Sequence, residues 1–148
     1  MIALRQGAVG DIPVLVDIWW RSVEATHNFL APDDIAALEP EVRRGLGRLE
    51  VWVAELDGVP AGFMMMNGAM IEALFIDPGH RGKMLGTRLI SHARELRGRN
   101  KELRVDVNEG NPDVLGFYLA KGFKQTGRSE TDGAGRPWPL LHMVLPPG

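Results

Sequence analysis

The chain has 148 residues, 45% of them apolar and 24% charged, and carries a net charge of −2 at neutral pH. That length suits one domain, residues 1–148, able to bury roughly 70% of its unfolded surface, and the acidic balance disfavours general nucleic-acid binding. No apolar run reaches the ~18 residues of a membrane span and the first residues lack a signal peptide's basic-then-apolar layout, so the expected compartment is the cytoplasm, with no membrane partner.

The segment IALRQ reads as an opening strand. In GDIPVLVDIWWRSVEATHNFL, apolar residues at Ile12, Leu15, Trp19 and Val23 form a helical stripe, with Asp11 placed as N-cap and Pro13 in the first turn. A second helix is expected over Pro32 to Gly47. LEVWVAEL, the turn DGVP and AGFMMMNG then make a hairpin, and Met64 to Met66 read as a core strand. MIEALFI is a further strand. Leu85, Leu89, Ile90, Ala93 and Leu96 mark a helix that ends near Gly98. ELRVDVN alternates as a strand. NPDVLGFYLAKG is a helix with Asn111 as N-cap, Pro112 at its first position and Gly122 as its stop. FKQTGRSE and LLHMVL close the chain as strands. The order β-α-α-β-β-β-α-β-α-β-β places the fold in the α+β class with a mixed sheet.

Missing residue types narrow the chemistry. There is no cysteine, so disulfides, thiolate metal sites and a cysteine acyl-enzyme are excluded. None of the three serines, Ser22, Ser91 and Ser129, lies in a G-x-S-x-G elbow. His27, His80, His92 and His142 lack metal-ligand spacing, and no metal is expected.

The stretch DPGHRGKMLGTRLI delivers a strand through a Gly-rich turn into a helix. A helix N-terminus offers unpaired N–H groups and the positive pole of the helix dipole, a seat for phosphate oxygens. Gly82 and Gly86 are expected to admit a ligand close to the backbone, and Arg81 and Lys83 to add charge. Neither G-x-x-x-x-G-K-[ST] nor G-x-G-x-x-G is present.

The spacing Arg81-Gly-Lys-Met-Leu-Gly86 resembles the acyl-CoA pyrophosphate loop, Q/R-x-x-G-x-G/A, of the GNAT superfamily of N-acyltransferases. ALFIDP before the loop is similar too, and NPDVLGFYLAKGF resembles that family's N-x-x-A-x-x-F-Y-x-K-x-G-F stretch. WRSVEATHNFL and GRSETDGAGRPWPLL are similar to segments of small bacterial acetyltransferases. Met84 departs from the pattern, at the first of the loop's two usual glycines. A helical φ there makes an outward side chain tolerable. A positive φ makes Met cost on the order of 1 kcal/mol.

The resemblance implies a mostly antiparallel sheet of about seven strands flanked by about four helices, splayed at the cofactor site. It implies direct acetyl transfer from acetyl-CoA, a co-substrate, to an amine, with no enzyme-bound intermediate. Tyr118, the only tyrosine, would be the general acid for the departing thiolate; alternatively it is a buried aromatic beside Phe117. Glu72, a carboxylate in an apolar strand, is the candidate base if buried, or a solvent-facing residue if not. Phe75 and Ile76 would offer backbone groups to the pantetheine arm, and Asn111 its side chain, with Asn108 a further candidate. Arg81, Gly82, Lys83, Met84, Gly86 and Thr87 would hold the pyrophosphate. Trp20, His27, Phe29 and Trp138 would line the acceptor pocket, and their bulk favours a small-molecule amine over a peptide. The expected state is a monomer or homodimer. A protein acceptor, or an acyl-CoA sensor without catalysis, are the alternatives.

Overall fold

The computed structural model describes residues 1–26 and 30–148. In chain order the elements are β1 (Ile2–Gln6), α1 (Ile12–Thr26), α2 (Pro32–Arg48), β2 (Glu50–Leu56), β3 (Val59–Asn67), β4 (Met70–Ile76), α3 (Leu85–Arg97), β5 (Leu103–Asn108), α4 (Pro112–Ala120), β6 (Lys124–Ser129) and β7 (Leu140–Leu145). The strands form a seven-stranded sheet in the order β1-β2-β3-β4-β5-β7-β6. Every pairing is antiparallel except β4 with β5. This is the α+β architecture expected. No described helix is long and apolar enough to cross a membrane.

Helices cover the sheet on both faces. Leu15, Ile18, Trp19 and Val23 of α1, with Ile35 and Leu46 of α2, pack on Val53, Phe63 and Met65. On the other face Leu85, Leu89, Ile90 and Ala93 of α3 and Tyr118 of α4 pack on Met64, Met66 and Val105. The Met64–Met66 run thus alternates between two cores, which is why β3 reads as apolar without interruption. Each fully buried large apolar side chain contributes about 1.5–3 kcal/mol of transfer free energy.

Local chemistry explains most boundaries. The β2–β3 hairpin turns at Asp57 and Gly58, both at positive φ (52° and 83°), as a two-residue turn matching the strand twist requires. Gly98 and Gly122, at φ 95° and 96°, stop α3 and α4. The expected start of α1 is corrected: Asp11 is not its N-cap. A short 3-10 turn over Val9–Asp11 precedes the helix, and Asp11 closes it by accepting from the Ala8 N–H at 2.8 Å. The Arg5 guanidinium claims the same carboxylate twice, at 2.8 and 2.9 Å, and this pairing leaves it too occupied to cap α1.

On the β5–β7–β6 half, His142 Nδ1 lies 2.7 Å from Asp106 Oδ1, and its Nε2 lies 2.6 Å from Ser129 Oγ. Asp106 sits directly opposite His142 in the ladder. The row ties three strands together in register.

Candidate active site

A bulge opens the site. Met65 pairs with Ala73 and Met66 with Ile71, which leaves Glu72 as the extra residue of β4. The parallel partnership with β5 is confined to Met70 with Arg104 and Ile71 with Val105. Past Glu72 the two strands part. The wedge between them is a cleft of about 600 Å³, lined by Leu74, Phe75 and Ile76 of β4, Val107 and Asn108 of β5, and the start of α3. At its top β3 presses close: a Cβ on Gly62 would stand 2.6 Å from Ile76 Cδ1 and 2.9 Å from the Phe75 carbonyl oxygen. Phe75 and Ile76, paired with Phe63 and Gly62 of β3 on one side, border the cleft on the side turned toward β5.

The loop after β4 begins with Asp77, whose carboxylate accepts from Gly79 N–H at 3.2 Å and from Arg21 of α1 at 2.7 Å. Gly82 takes φ 78°, and Met84 takes φ 67°, ψ 15°. So the left-handed alternative holds at Met84. Met84 is the N-cap of α3: its carbonyl accepts from the Arg88 N–H at 3.0 Å, but its side chain caps nothing. The first amides of α3 are left without an intrahelical acceptor and border the cleft, the donor set a pyrophosphate needs. Arg81, Gly82, Met84, Gly86 and Thr87 all line it.

Two loop expectations are corrected. Lys83 is not among the lining residues. It lies toward the β2–β3 turn, where the N-terminal ammonium chiefly, and Lys83 to a lesser degree, hold the Asp57 carboxyl below its ordinary range. Gly86 is spared a side chain for packing as much as for ligand approach: a Cβ there would meet Phe117 Cζ at 3.0 Å, so α3 and α4 close on each other at this glycine.

Tyr118 lines the cleft and is 4% exposed. Its ring is edge-on to Phe117 and to Phe123, each 5.1 Å away. Burial pushes its phenol above the ordinary tyrosine range. Asn111, buried and lining the same cleft, accepts from the Val114 N–H at 3.4 Å as N-cap of α4. At Glu72 the solvent-facing alternative holds: the bulge turns it outward and it is exposed. The bulge also resets the alternation of β4, so Ile71, Leu74 and Ile76, not Glu72, pack on the α3 side.

A second cavity, of about 380 Å³, is lined by Trp19 and Val23 of α1, Leu38, Glu41 and Val42 of α2, and Asp132 and Trp138 of the β6–β7 loop. Glu72, Ala73, Phe75 and Asn108 line both cavities, so the two meet where β4 and β5 part. Trp20 is corrected: it packs edge-on against Trp19 at 5.8 Å, and Trp19 is the one that lines the cavity. Trp138 does line it, with the Arg136 guanidinium 5.5 Å from its ring centre. Arg136 also bonds Asp132 at 2.8 Å and reaches across to Glu41 of α2. Although burial pulls the Asp132 carboxyl upward, the Arg136 N–H and guanidinium and the Ala134 N–H hold it below its ordinary range. His27 and Phe29 lie outside the described residues.

Ser22, Thr26 and His80 also line the cleft without having been singled out in the sequence. His80 carried a signal, as an imidazole inside the phosphate-type loop. Ser22 and Thr26 carried none, since α1 meets the cleft only in the fold. Ser129 and His142, despite their hydrogen-bonded row with Asp106, line neither cavity.

The family model described as an acetyltransferase (GNAT) domain matches residues 47–125. The chain is 44% identical over 147 residues to a Salmonella typhimurium protein named peptidyl-lysine N-acetyltransferase YjaB, covering 99% of both. The apo-form solution structure of Escherichia coli YjaB superposes with a TM-score of 0.89 at 42% identity, covering 98% of this chain and 97% of that one. A Thermoplasma acidophilum PaiA N-acetyltransferase, solved in complex with coenzyme A, shares the fold at TM-score 0.78 and 19% identity, covering 97% and 98%.

Proposed function

The chain belongs to the GNAT acetyltransferases, and from that premise we propose that it transfers acetyl from acetyl-CoA to the ε-amine of a lysine presented on a peptide. One observation carries this reading: two cavities, one floored by free helix amides and one walled by aromatics and carboxylates, meet at Glu72 and Phe75. The first suits a phosphate-bearing acyl donor. The second suits an ammonium on an aliphatic stem, with Glu41, Glu72 and Asp132 for the charge and Trp19, Leu38 and Val42 for the methylenes. The relatives named as peptidyl-lysine N-acetyltransferases point the same way.

Acetyl-CoA supplies an acyl group already activated as a thioester. The protein's own residues supply position and proton traffic. A lysine amine, pKa ~10.4, is neutral at pH 7 only about once in 2,500, so the acceptor must lose a proton before attack. Glu72, exposed where the cavities meet, passes that proton through a water to solvent on the acceptor side. Tyr118, on the other side, keeps its proton throughout the physiological range because its site disfavours phenolate. It is therefore available as a hydrogen-bond donor to the sulfur as the thiolate departs, the place of a general acid. Phe75 and Ile76, which line the cleft, offer backbone groups to the pantetheine amides, and Asn111 joins them from α4.

The narrowing of the vestibule by Trp19 and Trp138 favours a second reading, a small free amine as acceptor. Thiol release from acetyl-CoA, measured with lysine-containing peptides and with free polyamines and amino acids side by side, separates the two. The peptide reading expects kcat/KM at least about tenfold higher for the best peptide, worth about 1.4 kcal/mol of transition-state discrimination. A free amine ahead by that margin selects the small-molecule reading. Acetyl-CoA binding with no turnover on any amine selects a sensor.

A further inference from the structure

We propose that Met84 is a reversible oxidation site, at which a peroxide converts the thioether to a sulfoxide and thereby weakens acetyl-CoA binding. The proposal rests on reading the first cleft as the acetyl-CoA site.

Accessibility makes the oxidation selective. Met84 is 62% exposed, whereas Met64, Met65, Met66 and Met143 are between 0% and 6% exposed and Met70, at the start of β4, is half-buried. The chain has no cysteine, so no thiolate intercepts the oxidant first. Met1 is the other strongly exposed methionine, and it lies at the chain terminus, outside the cleft lining. In the reaction the Met84 Sδ attacks one peroxide oxygen and the O–O bond breaks. Sulfur gives up two electrons to form S=O, and the peroxide is reduced to water. A sulfoxide reductase drawing on a dithiol returns the thioether.

The position of Met84 makes the oxidation consequential. It is the N-cap of α3, and its side chain makes no capping hydrogen bond. A thioether is too weak an acceptor to cap. A sulfoxide oxygen is a strong one, and it lies as many bonds from Cα as the amide oxygen of glutamine. Oxidation hands the N-cap residue an acceptor for the first amides of α3, the donors that the phosphate requires. It also sets a partially negative oxygen on the wall of the cleft. Both effects oppose the phosphate.

The experiment treats the full chain with dilute hydrogen peroxide, locates added oxygen by peptide mass spectrometry, and titrates acetyl-CoA calorimetrically before, after and following reductase treatment. Met84→Leu and Met84→Gln are taken through the same steps, each compared with its own untreated form. The expected result is oxygen on Met84 ahead of the four core methionines and a Kd about three- to tenfold weaker, restored by the reductases. Met84→Gln should bind like the oxidised protein before any treatment, and Met84→Leu should keep its own affinity through peroxide. Oxygen on Met84 with an unchanged Kd overturns the proposal. So does a peroxide loss in Met84→Leu as large as in the wild type, or oxidation of the core methionines first. Failure of the untreated wild type to bind acetyl-CoA overturns the cofactor reading itself, and this proposal with it.

Discussion

At Met84 the backbone holds a left-handed conformation, φ 67°, that an L side chain enters at roughly 1 kcal/mol. Its side chain is largely solvent-exposed, so little packing offsets that strain. Met84→Gly is therefore expected to stabilise the fold slightly, by up to about 0.5 kcal/mol after the extra chain entropy of glycine is subtracted. Urea unfolding with an unchanged m-value reads this directly, and a lower midpoint would show that Met84 makes contacts worth more than its strain. At Tyr118 the hydroxyl is separable from the ring. Tyr118→Phe keeps both edge-on contacts with Phe117 and Phe123, so thermal stability should hold while kcat falls, from severalfold to hundreds-fold. The acetyl-CoA KM should move little. Unchanged kcat removes the phenol from proton transfer and leaves Tyr118 as core.

His92 shows how one side chain burdens a whole element. It sits on α3 with its ring 4.1 Å from Trp52 of β2, and its Nε2 is buried with no hydrogen-bond partner. Burial lowers its pKa below the ordinary 6.5, against the opposing pull of Glu50. The unfolded chain therefore takes up a proton below about pH 6.5 that the folded chain refuses, and stability falls as pH drops through that point. His92→Leu should flatten the stability profile between pH 7 and 5. Glu50, whose carboxyl is held low by Trp52 Nε1–H and then Arg97, titrates below that window. Denaturant midpoints for both proteins across the window test this, and parallel slopes would sink it. At this scale the helices and strands were legible because their periods and caps are local: Asn111-Pro112 before α4 and Gly98 after α3 need no tertiary knowledge. The bulge at Glu72 was not legible. Strict alternation puts Glu72 on one face with Leu74 and Ile76, and the residue that breaks the count is visible only once β3 is laid beside β4. The same blindness hid a second role of Gly86, whose missing side chain also answers Phe117, thirty-one positions further on.

The whole molecule is a sheet in two halves joined by a short parallel contact, and both cavities exist because that contact stops at Ile71. The donor side was legible, since its loop is one continuous motif. The acceptor side was legible at Trp138 but not at Trp19, Leu38, Val42 or Asp132, because its wall is assembled from α1, α2, β4 and a loop more than a hundred residues from the N-terminus. Arg136 is the tie across that wall: it holds Asp132 within its own loop, Glu41 on α2, and the Trp138 ring. The pair with Glu41 is partly solvent-exposed and adds only ~0–1 kcal/mol to stability, while the pair with Asp132 is more sheltered, at 30% and 13% side-chain exposure. Their consequence is positional, since they fix where Asp132 and Trp138 stand relative to α2. Arg136→Ala should leave the melting temperature within a few degrees and the acetyl-CoA KM unchanged, because Arg136 does not line the first cleft. The acceptor KM should rise severalfold, as a loop no longer pinned must be ordered by the acceptor itself. A fall in acceptor KM would mean that freeing Glu41 and Asp132 to meet the incoming cation outweighs the lost order. A matching rise in both KM values would mean that the loop supports the whole sheet junction and not the acceptor wall alone.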